Sequence, residues 1–218
     1  MPIQMDDFIR TILKDLETAN YIKPEEIPSI ELYMDQVTTF MDSHLSSSKR
    51  NAEDKILTKT MINNYAKNNL LPPPVKKKYS RDHILMMIFI YYFKGFLSIS
   101  DIQSLLNPLA ENHFEEKSEL PLKMLYEQLF SLEKDQLAIL RKDLVQKHHI
   151  AKASFEGEKD KDFLQCFTLI SMLSFDVYMK KQIIEKMIDR LLPKVSPEDT
   201  KSAKKTNAKA AKKTKEEK

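Results

Sequence analysis

The segment Ile84–Phe93 reads ILMMIFIYYF, ten residues with no charged side chain among them. On a helix such a run is apolar nearly all round, so no face suits water and other elements have to wrap it. Ser80 stands where it can cap this helix, and Gly95 is the expected stop. A chain of 218 residues is long enough to supply the wrapping, as one domain or two small ones. Glycine occurs only at Gly95 and Gly157, while Leu, Ile, Met, Lys and Glu are abundant, so the expected fold class is all-α. The same scarcity of glycine excludes a P-loop or a dinucleotide-binding phosphate loop.

Helical spacing recurs along the chain. Phe8, Ile12 and Leu16 fall on one stripe of a first helix over Met5 to Asn20. Ser29 is the expected cap of a second, with Ile30, Met34, Val37 and Met41 on its apolar side. The polar run from Ser46 to Ile56 reads as a loop. From Thr58, the expected N-cap, to Asn68 the pattern sharpens. Met61, Ile62 and Tyr65 take one side, and Lys59, Thr60, Asn63, Asn64 and Lys67 take the other. Three prolines, Pro72 to Pro74, end that helix. Ser98 and Asp101 have the form of a capping box for a short helix closed by Pro108. Two longer helices are expected beyond it, one from Pro121 to about His149 and one from Asp162 to Leu192.

The formal charge is +3, but Lys201–Lys218 alone holds eight lysines and two glutamates, so +3 overall less +6 in this tail leaves −3 elsewhere. The tail has almost nothing apolar to pack and is expected to be disordered. Cys166 is the single cysteine, which excludes an intrachain disulfide and a cysteine-based zinc site, and it reads as an inert core thiol. His148 and His149 are adjacent and point apart on a helix, so joint metal ligation is not expected. No secretory signal is read at the N-terminus. The stretch Phe163 to Met179 is short for a membrane span and carries Gln165 and Asp176, which favours a packed helix. The expected location is cytoplasmic, at the nucleoid.

The polar face of the Thr58–Asn68 helix carries the chemistry. A reader of double-stranded DNA needs a helix that enters the major groove, short polar side chains that reach base edges, and cations that hold the flanking phosphates. Asn63 and Asn64 suit paired hydrogen bonds to adenine, Thr60 suits a thymine methyl or a phosphate, and Lys59 and Lys67 stand at the two ends. The basic stretch Lys76-Lys77-Lys78-Tyr79-Ser80-Arg81 follows within ten residues. Between Lys49 and Asp82 there are nine basic and three acidic residues, a local excess inside an otherwise acidic body. The bland alternatives are a solvated helix face and a soluble loop. Tyr65 and Tyr79 suit packing better than base stacking.

The run MINNYAKNNLLPPP followed by KKKYSRDHILMMIFIYYFKGFLSISDIQSLL resembles the DNA-binding domain of the MerR family of bacterial regulators. Tyr65, Leu70, Leu71, Tyr79, Gly95, Phe96, Ile99 and Ile102 match in order over about Leu57 to Leu106. The resemblance implies a winged helix-turn-helix with its recognition helix at Thr58–Asn68 and its wing at Val75–Arg81. Asn63 and Ser80 stand where that family carries arginines, Asn69 replaces a glycine, and the family's cysteine metal site is missing. The patterns LYMDQVTTFM and LTKTMINNYAKNNLLPPPVKKKY are also similar to a bacterial family described only as a domain of unknown function, which implies no activity.

The expected architecture is therefore a helical region over 1–110 with its winged core at 29–106, a C-terminal helical hairpin over 118–193, and the tail at 194–218. The expected function is sequence-specific DNA binding by a bacterial transcriptional regulator acting as a homodimer. The DNA-binding residues are Thr58, Lys59, Thr60, Asn63, Asn64, Lys67, Lys76, Lys77, Lys78, Tyr79 and Arg81. The Met and Phe residues of the last helix suit a core or dimer seam, with a small-molecule effector pocket as the alternative. No nucleophile–base pair, metal motif or cofactor loop is present in the sequence, so neither an enzyme nor a cofactor or metal is expected. The competing reading is a helical protein–protein interaction module.

Overall fold

The computed structural model describes residues 5–18, 22–114 and 119–192, and the expected tail at 194–218 lies outside them. The elements run α1 (Met5–Thr18), β1 (Leu32–Tyr33), α2 (Met34–Leu45), α3 (Lys59–Lys67), β2 (Lys78–Tyr79), α4 (Arg81–Phe93), α5 (Ile99–Asn112), α6 (Leu122–Ser131), α7 (Glu133–Lys152) and α8 (Lys161–Leu191). The described residues are mostly helical, as expected of an all-α chain. No helix among them is long and apolar enough to cross a membrane.

The chain divides into two compact units. Among the described residues, one comprises those within 24–127 and 184–192, the other those within 5–23 and 128–183. The expected split put α1 with the DNA-reading core, but α1 belongs with α7 and α8. Ile9 of α1 is buried in a cluster with Leu144 and Ala151 of α7 and Leu169 of α8. Partners so far apart in sequence leave no local signal, which is why periodicity alone could not place α1.

In the unit of residues 24–127, α4 is the centre. Every residue from His83 to Ile90 is buried, as its unbroken apolar sequence requires. Ser80 and His83 cap it reciprocally in position, with the Ser80 backbone N–H donating to Nδ1 of His83 at 3.0 Å. Helix α2 begins at Met34 and not at Ser29, because Leu32 and Tyr33 instead pair antiparallel with Tyr79 and Lys78. Ile30 consequently lies exposed outside the helix. Gly95 follows the end of α4 without adopting a left-handed backbone. Helix α5 has the expected Ser98–Asp101 capping box but continues past Pro108 to Asn112. Proline removes a single ladder hydrogen bond there, and buried Ile102 and Leu106 anchor the helix just before it.

The long helix expected from Pro121 to His149 is broken at Leu132 into α6, whose residues are shared between the two units, and α7, which lies in the unit of residues 128–183. The α1–α7 contact is polar at one end. Asp6 accepts from Lys152 and lies 3.0 Å from Nε2 of His148. Lys147 of α7 bridges Asp143 and Asp176, the latter on α8. Buried Gln165 of α8 donates to the carbonyls of Lys152 at 2.7 Å and Ser154 at 3.0 Å, closing the end of α7. These three helices leave an apolar cavity of about 250 Å³, lined by Ile9, Leu144, Cys166, Leu169 and Leu173 among others. Cys166 is half-buried at its wall.

One pH response follows from this contact. The hydrogen bond from Lys152 is the main influence holding the Asp6 carboxyl below its ordinary value of 3.8. A carboxylate lowered on folding stabilises the fold above its unfolded value and loses that contribution as pH falls through the folded one. The melting temperature is expected to drop more steeply below about pH 4 in wild type than in Asp6→Asn, measured by circular dichroism. Equal slopes would show that the ion pair contributes nothing.

Candidate nucleic-acid interface

Helix α3 is short, and its two faces differ sharply. Ile62 is fully buried, while Lys59, Thr60, Asn63, Asn64 and Lys67 are exposed. Thr58 is the N-cap, its hydroxyl accepting from the Met61 N–H at 3.2 Å. At the other end Asn69 turns left-handed with φ 54°. The Leu70 N–H then donates to the Tyr65 carbonyl at 2.9 Å, and the Asn69 N–H to Ala66 at 3.3 Å. This is a Schellman closure, with asparagine where glycine is the usual residue. Leu70 and Leu71 are buried immediately after it.

Both ends of α3 are also gripped from outside. Lys94, at the end of α4, donates from Nζ to the Ile56 carbonyl at 2.9 Å and lies 4.8 Å from the centre of the Tyr91 ring. Burial pushes its pKa down. Buried Gln103 of α5 donates from Nε2 to the Asn68 carbonyl. Between α2 and α3 the long connection is ordered by its own polar bonds. Asp54 accepts from the N–H groups of Arg50 and Asn51, and Ser48 bonds the Tyr91 hydroxyl. Neither Lys94 nor Gln103 figured in the sequence reading. Each is a single polar residue whose partner lies about forty positions away, and no spacing rule reports such a pair.

The Gln103 grip is testable. Gln103→Leu keeps the size but removes the donor, and is expected to cost about 1–3 kcal/mol of stability. Urea denaturation would measure it, and an unchanged midpoint would show that the bond holds nothing.

After the prolines, Val75 pairs with Lys78 in a tight hairpin, the Lys78 N–H donating to the Val75 carbonyl at 2.9 Å. Lys76 and Lys77 form its tip, and both have positive φ, 49° and 64°. That is the pattern of a type I′ turn, which ordinarily calls for Asn and Gly. Strand β2, one side of the hairpin, pairs with β1, and α2 contacts both α3 and β2.

The expected contact residues fall into distinct roles. Asn63, Asn64, Thr60 and Lys67 lie exposed on α3, and Lys76 and Lys77 lie exposed at the hairpin tip. Lys59 is exposed but paired with Asp35 of α2. Lys78 is half-buried, 3.7 Å from Glu31 and 5.7 Å from the Tyr33 ring centre. Tyr79 is only 2 % exposed, with its ring edge-on to His83 at 5.5 Å. It is a core residue and not a contact, because its place in β2 turns the ring inward. Arg81 is likewise spent within the fold. Its Nη2 donates to the carbonyls of Ile27 at 2.8 Å and Pro24 at 3.3 Å, tying the turn before β1 to the start of α4.

The unit bearing these features is a mostly helical module built round one buried helix. Residues 22–129, which contain the 24–127 part of that unit, match a family model described as a domain of unknown function (DUF1836). No MerR or helix-turn-helix family model is matched. No curated protein and no solved structure matches the chain.

Proposed function

We propose that this chain binds double-stranded DNA in a sequence-specific manner as a bacterial transcriptional regulator. Helix α3 lies in the major groove, and the hairpin at Lys76–Lys77 grips phosphate as the wing of a MerR-like winged helix-turn-helix. The observation that carries the reading is the hairpin tip. Two consecutive lysines occupy a backbone that disfavours any side chain, directly after a helix whose outward face is asparagine, threonine and lysine. Strained backbone at an exposed cationic tip suggests that something other than stability selects the side chains. The clamped ends of α3 support the same reading, since a groove-reading helix gains from being held in one orientation before it binds. Asn63 and Asn64 read base edges, Thr60 and Lys67 contact backbone or bases nearby, and Lys59 reaches phosphate once it leaves Asp35.

The test is selection of bound duplexes from a random-sequence pool by the full chain. Wild type is expected to enrich one motif, and Asn63→Ala/Asn64→Ala to lose the enrichment while retaining salt-sensitive binding. Recovery of an unenriched pool by wild type would overturn the reading. So would binding whose affinity does not fall with added salt.

A further inference from the structure

Of the lysines on α3 and the hairpin, two already hold a carboxylate. Lys59, the first residue of α3, pairs with Asp35 in the first turn of α2. Lys78 of β2 lies 3.7 Å from Glu31, the residue before β1. Lys67, Lys76 and Lys77 have no carboxylate partner among the described residues. Asp35 and Glu31 therefore stand on one flank of the candidate interface and reach two different elements of it. Asp35 suits its own helix, since an acid in the first turn meets the positive end of the helix dipole. Lys59 has no such local reason for its position, because a cation at a helix start is disfavoured.

We infer that Asp35 and Glu31 are resident competitors for phosphate, which hold down the affinity of this face for every duplex. The inference rests on the DNA reading above and names a control on the same site. Both pairs are exposed, the lysine and acid side chains being 60 % and 76 % accessible in one and 38 % and 51 % in the other. Water screens such pairs, so a phosphate can take the place of the acid. The exchange has a cost. Each lysine that moves to phosphate leaves a carboxylate nearby, inside the ~8–10 Å over which charges still interact at ordinary salt. That carboxylate recruits a cation of its own, which offsets the one the lysine released from the duplex. Because the acids act on phosphate and not on base edges, the restraint falls alike on matched and unmatched sequences. Backbone attraction alone is thereby kept from holding the chain on arbitrary DNA.

Fluorescence anisotropy of the full chain on labelled duplexes, across a salt series, provides the test. Asp35→Asn and Glu31→Gln are each expected to bind matched and unmatched duplexes several-fold more tightly than wild type at low salt. The slope of log affinity against log salt is expected to steepen by up to about 0.9 for each lysine released. Asp42→Asn is the charge-matched control, because it removes one carboxylate and breaks a pair with Lys49 about two turns further along α2. It is expected to change affinity and slope much less. In a Lys59→Ala background Asp35→Asn should add little, since its effect passes through Lys59. All three acids are exposed, so the variants are expected to fold, and circular dichroism verifies it. An effect of net charge alone would make the three variants alike, and a purely structural role would lower affinity, and either result would overturn the inference. If neither wild type nor variants bind any duplex, the DNA reading falls and this inference with it. If wild type selects a motif and Asp35→Asn/Glu31→Gln matches its affinity at every salt concentration, the inference alone falls.

Discussion

Ile62→Ala is expected to destabilise the protein by about 2–5 kcal/mol, whereas Asn63→Ala, one residue later, is expected to change stability by less than about 0.5 kcal/mol. Ile62 is fully buried on the inner face of α3, and truncating it leaves a cavity beneath the helix. Asn63 is exposed on the outer face and supports nothing. The functional effects should run the other way. Asn63→Ala should lower the preference for the selected duplex by about 1–3 kcal/mol per lost base contact, while its affinity for unrelated duplexes stays near wild type. Ile62→Ala should weaken both kinds of binding together, in proportion to the fraction unfolded. Urea denaturation and fluorescence anisotropy on matched and scrambled duplexes would separate the two patterns. If Asn63→Ala weakened both duplexes equally, Asn63 would not be reading bases.

Lys76→Asn/Lys77→Gly is expected to make the protein more stable and a poorer DNA binder at once. With φ of 49° and 64°, the native tip places two Cβ-bearing residues in the left-handed region. Each such placement costs about 1–2 kcal/mol against a right-handed one, and Asn-Gly is the pair that relieves it best. A gain on the order of 1–2 kcal/mol in chemical denaturation is therefore expected. Loss of two phosphate contacts should reduce the slope of log affinity against log salt by nearly two, and weaken binding to all duplexes alike. Lys76→Ala/Lys77→Ala removes the same charges without relieving the backbone. It should match the loss of affinity and show no gain in stability. A variant that became more stable and bound DNA as well as wild type would leave the strained lysines without a role.

Several elements were legible in the sequence because their signals are local. The apolar run from Ile84 dictates a buried helix. Thr58, the alternation of faces around Ile62, and the prolines after Leu71 fix α3 to within a residue. The Ser98–Asp101 box does the same for the start of α5. What escaped depends on partners distant in sequence. A strand of two residues, Leu32–Tyr33, has too few positions to show a period, and it displaced the start of α2. The basic cluster Lys76–Arg81 reads as one patch of like residues, yet the fold divides it. Two lysines project at the tip, Lys78 lies against Glu31 and Tyr33, Tyr79 enters the core, and Arg81 holds the carbonyls of Pro24 and Ile27. Composition counts such side chains equally, and only the pairing of β1 with β2 tells them apart.

The placement of α1 has a consequence for biosynthesis. Its apolar stripe packs against α7 and α8, whose residues are translated more than a hundred positions later. At about 5–20 residues per second, α1 waits on the order of ten seconds with that stripe uncovered, while residues 24–127, the larger part of the other unit, emerge in between. The order of synthesis thus makes the stretch bearing α3 and the hairpin available before the partners of α1. Helix α1 therefore waits for partners made long after it, and its uncovered apolar stripe is a surface that a ribosome-associated chaperone would meet.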